Sequence, residues 1–64
     1  RELSNLEGKS GVAITPLRPA GAGLFEGERI DVVTEGEFIP AGAMISVVRV
    51  ESSRVIVREI VPQN

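Results

Sequence analysis

Cysteine and histidine are both absent from this sequence. Without cysteine there is no disulfide framework and no thiolate zinc site to staple the fold, and nothing marks a redox compartment. With histidine missing too, the commonest general base and the best nucleophile are both lacking, so the chain reads as non-enzymatic. Tyrosine and tryptophan are absent as well, which leaves Phe25 and Phe38 as the aromatic residues. Two phenylalanines are a poor supply of stacking platforms for single-stranded nucleic acid. Neither sign of charge dominates, since seven Lys/Arg and nine Asp/Glu, spread along the chain, give a net charge of -2. That balance argues against a basic nucleic-acid face and against a polybasic membrane patch. No apolar run approaches the roughly 20 residues that span a bilayer, and no signal-peptide pattern opens the chain, so this stretch reads as soluble. It begins at Arg1 rather than Met, which reads as a domain cut from a longer protein and leaves room for a membrane anchor upstream.

Glycine and proline, by contrast, punctuate a series of short β-rich runs. A chain of 64 residues allows one domain, and a domain this small buries only about 60% of the surface its unfolded chain exposes. Fifteen Val/Ile stand against four Leu, and no segment sustains a 3.6-residue period, which makes the class all-β. Residues 1–7 are read as a linker too short for a stable helix, with Leu3 and Leu6 resting on the domain. From Gly11, Val12 and Ile14 alternate with Ala13 and Thr15 in a first strand that Pro16 or Pro19 ends. A second strand, Gly23 to Glu26, carries Phe25 into the core, and Glu26-Gly27-Glu28 forms a hairpin turn. The third runs from Arg29 to Glu35, with Val33 breaking its alternation. A loop from Gly36 to Gly42 leads into the fourth, Ala43 to Glu51. There Ile45 and Val47 have odd numbers and Val48 and Val50 even ones, so a bulge between Val47 and Val48 is needed to keep all four on the core side. The fifth spans Arg54 to about Ile60, and residues 62–64 form a loose tail. Five such strands over residues 8–61 fit a small five-stranded OB-fold-like β-barrel lacking the usual helix, with an SH3-like barrel as the alternative. Gly8, Gly11, Pro19, Gly21, Gly27, Gly36 and Gly42 are read as its structural turns.

The motifs that could carry chemistry do not reach it. Lys9 and Ser10 are adjacent at a strand entry and point in different directions, which does not make a Ser-Lys pair. Glu26, Glu28, Asp31, Glu35 and Glu37 cluster in sequence, yet their spacing matches no calcium loop. Gly8, Gly11, Gly21 and Gly23 open no helix, so they do not form a phosphate loop. Lys9, the sole lysine, enters the first strand and is not at a hairpin tip, as a lipoyl or biotin carrier would require. No catalytic, cofactor-binding or metal-binding residue is assigned. An interaction module remains. Leu24, Val33, one of Val47 and Val48, and Ile56 fall out of phase with the inward set, which suggests exposed apolar surface. Together with the Phe38-Ile39 loop they give the partner-contact candidates Leu24, Val33, Phe38, Ile39 and Ile56.

Several of these stretches resemble one family. The run from Leu6 to Gly21 with its Leu17-Arg18-Pro19-Ala20-Gly21 turn, the run from Gly27 to Ile39 with Asp31-Val32-Val33 and Phe38-Ile39, and then Gly42 with Val47-Val48-Arg49-Val50 are similar to the C-terminal soluble domain of NfeD-like membrane proteins. The resemblance covers Leu6 to about Val57. It implies an OB-like barrel attached to membrane-spanning segments; the barrel itself is expected to be soluble and on the cytoplasmic side. It also implies a stomatin-like (prohibitin-homology) partner and a role in membrane organisation or membrane protein quality control; for the exposed apolar surface, another copy of the domain is the alternative contact, which would make a homo-oligomer. In long forms of the family a ClpP-class serine protease domain precedes the membrane segments, and its catalytic residues would lie outside this chain. An accessory role to such a protease, or single-stranded nucleic-acid binding by an OB-type barrel, are the alternative functions.

Overall fold

Period-two alternation, broken by glycine and proline, produces five strands. In the computed structural model, which describes residues 3–62 and side chains from Asn5 to Pro62, these are β1 (Ser10–Ala13), β2 (Ala20–Phe25), β3 (Glu28–Val33), β4 (Met44–Glu51) and β5 (Arg54–Glu59). The Leu3 side chain and most of the expected tail over 62–64 lie outside the described residues. The strands close into a barrel in the order β1-β2-β3-β5-β4. Every neighbouring pair is antiparallel except β3 and β5, which run parallel with the single registered pair Val33 and Ile56. The one helical piece among the described residues is a 3₁₀ turn, Leu3–Leu6. The expected barrel is therefore met in strand number, closure and lack of an α-helix.

The core is filled by Phe25, Ile45, Val47, Val55 and Val57 from the strands, and by Leu17 and Ile39 from loops. Leu17 and Ile39 are fully buried and bridge each other, the Leu17 amide donating to Ile39 O at 2.8 Å and the Ile39 amide to Leu17 O at 3.2 Å. This two-bond clasp ties the loop after β1 to the loop after β3 and plugs one mouth of the barrel. Thr34, the buried polar residue, donates its hydroxyl to Glu37 O at 2.6 Å and accepts from the Gly36 amide at 3.1 Å, so the loop closes with its polar groups satisfied. At the other side Leu6 packs on the core, the Gly8 amide donates to Val47 O at 2.9 Å, and the Val50 amide donates to Glu7 Oε2 at 3.2 Å.

The phase conflict in β4 resolves as the numbering requires. Val47 pairs with Val57 and Arg49 with Ile56, so Val48 is the extra residue of a bulge. Ile45 and Val47 face the core before it, and Val50 packs on the core after it. In β1 the alternation does not by itself say which face is inward. Ala13 turns in, while Val12 and Ile14 remain 36% and 44% exposed. The reason lies on the neighbouring strand: the Phe25 ring occupies the space over Gly11, so the inward face of β1 must be the small-residue face.

Two of the residues read as turns are corrected. Gly11 lies inside β1 and Gly21 inside β2, and their role is close approach. A Cβ on Gly11 would sit 2.3 Å from Leu24 O, and one on Gly21 would sit 2.5 Å from Leu17 Cδ2. Gly8, Gly27, Gly36 and Gly42 do have positive φ, and Pro19 follows a cis bond just before β2.

The β2-β3 hairpin turns on Glu26 and Gly27, both at positive φ (52° and 78°). Two such residues match the twist of the strands they join, and the first position favours asparagine over a residue with a long side chain. Lys9 Nζ reaches Glu26 Oε2 at 3.1 Å, but with the Glu26 side chain 73% exposed this pair contributes little. Glu26→Asn is therefore expected to stabilise the domain by roughly 0.5 kcal/mol, of the size seen when a backbone conformation and its residue are brought into agreement. A urea titration reads this as a higher midpoint at unchanged slope.

Candidate interaction surfaces

The five partner-contact candidates separate by burial. Ile39 and Ile56 are 0% and 3% exposed, so neither stands on the open surface, and their expected exposure is corrected. Ile39 is drawn inside by its clasp with Leu17. Ile56 stands beside Val33 on one edge and Arg49 on the other. Val33 is itself only half-buried, and the two form the floor of a shallow cleft of about 400 Å³ at the β3-β5 seam, rimmed by Glu35, Arg49, Glu51 and Arg54. Leu24 and Phe38 remain exposed, at 41% and 56%. Phe38 lies at the plugged mouth, with the Arg18 guanidinium 5.5 Å from its ring centroid, within cation–π range.

On this rim Glu35, Arg49 and Glu51 form a charge network with Arg58. Arg49 donates from Nη1 to Glu35 Oε2 and from Nε to Glu51 Oε2, both at 2.6 Å, and Arg58 Nη2 lies 3.6 Å from Glu35 Oε1. The Arg49 hydrogen bond, and next its charge, hold the Glu35 carboxyl below its ordinary range; Arg58 adds to this and desolvation opposes it. Glu35 and Glu51 in turn raise Arg49. A carboxyl held ionised in this way is unsuited to act as a general acid. Because the folded-state pKa lies below the unfolded one, the network stabilises the fold above the unfolded carboxylate pKa, and that contribution is lost as pH falls through the folded one. The contribution is small, since all four side chains are substantially open to solvent. Following the Glu35 carboxyl carbon by NMR should show titration at lower pH than an ordinary glutamate. Arg49→Gln should move it back toward the ordinary range, with Arg58 still holding it somewhat below.

Among the described residues no three Asp or Glu side chains gather as a metal site. Glu35 of the sequence cluster is committed to arginines and Glu26 to Lys9.

The most extended apolar feature lies on the outer wall. Val12 of β1 is in register with Leu24 of β2 on one side and Met44 of β4 on the other. The β4-β5 register carries on from Ile45 opposite Glu59 to Met44 opposite Ile60, whose amide donates to Met44 O at 2.9 Å. Residues in register share a face, and all four are exposed: Leu24 41%, Val12 36%, Met44 50% and Ile60 38%. They form one continuous aliphatic row across four elements, with Ile14 exposed two residues beyond Val12. The row ends at Arg29, opposite Leu24 on β3. It is flanked by a polar row of Ser10, Ser46 and Arg58. An apolar strip with a polar border is the arrangement of a contact surface. Leu24 was reachable from sequence phase; Val12, Met44 and Ile60 were not, because the row exists only once the strand order and registers are known.

Residues 3–59 match the family described as NfeD-like C-terminal, partner-binding domain. The chain is 47% identical over 57 residues to the membrane protein NfeD1b of Bacillus subtilis (strain 168); the match covers 89% of this chain and 13% of that protein's length. Its fold superposes on the C-terminal domain of stomatin operon partner protein 1510-C from Pyrococcus horikoshii with a TM-score of 0.84, covering 91% of this chain and 92% of that one at 22% identity. The barrel is thus common to both, while their sequences have diverged.

Proposed function

Since this chain belongs to the family of NfeD-like C-terminal, partner-binding domains, we propose that it is the non-catalytic module by which a larger membrane protein holds a stomatin-like partner. The observation that carries this reading is the exposed row of Leu24, Val12, Met44 and Ile60 on the wall of a barrel whose interior is filled. A filled interior leaves no chamber for a substrate, whereas an aliphatic strip open to water gains by being covered. The family description supports partner binding, and the Pyrococcus domain of the same fold belongs to a stomatin operon partner protein. In this reading residues 1–7 lead toward the membrane-anchored part, and the barrel works on the cytoplasmic side in membrane organisation or quality control.

A few half-open side chains place the contact in the weak, transient class, with a Kd on the order of micromolar. Isothermal titration of the chain with the stomatin-like protein of the same organism should give saturable binding. Absence of binding at every attainable concentration would reject the partner assignment.

A further inference from the structure

We infer that the row formed by Leu24, Val12, Met44 and Ile60 receives an amphipathic helix of the partner, an inference that rests on the partner-binding reading above and specifies its geometry. Backbone hydrogen bonding limits the occupant first. β1 is paired on both edges by β2 and β4, β2 by β1 and β3, and β4 by β1 and β5. Beneath Leu24, Val12 and Met44 the sheet offers no edge, so over these strands the occupant can be held only through side chains. An extended segment lying there would lose water from its own N–H and C=O groups without gaining partners, which costs free energy at every residue. A helix satisfies those groups internally.

Spacing points the same way. Adjacent strands lie about 4.8 Å apart, so a row crossing four elements spans roughly 14 Å. Residues i, i+3 or i+4, i+7 and i+10 of a helix cover about 15 Å at 1.5 Å per residue and share one face. Such a stripe can set one anchor against each outward side chain in turn. The size of the row also favours a small occupant. Four or five side chains exposed by 36 to 50% fall well short of the ~800 Å² per partner that a standard interface between folded proteins buries. They suit a single helix better than a second barrel. A net charge of -2 also disfavours an anionic bilayer as the occupant.

The test uses synthetic peptides of about six helical turns that tile the stomatin-like partner, together with the intact partner, against the wild-type chain and its Met44→Glu and Leu24→Glu variants. Both positions are exposed, so thermal unfolding should show the variants folded, and two variants guard against either one failing to fold. One peptide should bind, gain helical circular dichroism on binding, and lose at least tenfold in affinity to each variant, as should the intact partner. If both variants bind as well as wild type, the surface is misplaced although the partner assignment stands. If the variants weaken the intact partner but no peptide binds as a helix, the helical occupant is wrong. A wild-type dimer in light scattering that Met44→Glu dissociates would assign the row to a second copy, and co-sedimentation with phosphatidylglycerol vesicles would assign it to lipid. If wild type binds neither peptide nor intact partner, the partner reading itself fails.

Discussion

Phe25→Ala should leave the domain largely unfolded at 25 °C. The side chain is 2% exposed and is the largest in the core. Its ring lies against Gly11 on β1 and against Gly23 of its own strand, beside Ile45 of β4. Removing it takes away the contact between three strands at once, and the glycines around it have no side chains with which to fill the void. Phe→Ala in a close-packed interior costs about 3–5 kcal/mol. A core of this size rarely supplies more than ~3–5 kcal/mol in total, so the loss is comparable to the whole stability. Loss of dispersion in the amide NMR spectrum, together with absence of a cooperative urea transition, would show it. Phe25→Leu, which keeps much of the volume, should retain a transition at lower urea.

Gly11→Ala should be the most damaging glycine substitution, and for a reason unrelated to φ. The added Cβ would meet Leu24 O at 2.3 Å and two Phe25 ring carbons at 2.7 and 2.8 Å. The carbonyl is part of a paired strand and cannot rotate away, so β1 and β2 must separate at the point where Val12 and Leu24 pair. Overpacking of this kind costs typically 1–3 kcal/mol and occasionally more, and the backbone obstacle puts it at about 3. At roughly 4–8 °C per kcal/mol for a domain of this length, the melting temperature should fall by roughly 12–24 °C. Gly42→Ala provides the contrast: φ is 90° there but no atom lies within 4 Å. The cost is then the left-handed conformation alone, about 1–2 kcal/mol. If Gly42→Ala proves the more harmful of the two, the close approach of β1 and β2 is not the constraint described.

These two residues also show how far the sequence could be read. Strand number, the bulge at Val48, the Glu26-Gly27 hairpin and the inward position of Phe25 all follow from local signals: a switch of phase, a turn residue, a lone aromatic in a short strand. The inward face of β1 does not, because it is decided by the size of a ring on β2. Ile39 sits in a Gly/Pro-bounded loop and looks exposed, yet a bridge to Leu17, 22 positions earlier, buries it. Ile56 is out of phase with Val55 and Val57 but is covered at the seam with β3, a contact fixed by strand order. The proposed interaction surface suffers most from this limit, since its row joins residues far apart in the chain. Conversely, two members of the carboxylate cluster, Glu26 and Glu35, are committed to separate ion pairs with Lys9 and with Arg49.

The most direct test of the outer row as the contact surface is an amide-shift map of the ¹⁵N-labelled chain as unlabelled stomatin-like partner is added. The largest changes should fall on Val12, Leu24, Met44 and Ile60 and on their neighbours in β1 and β4. Changes confined to residues 36–40, or to Glu35 and Arg49 at the seam, with the row unmoved, would contradict it.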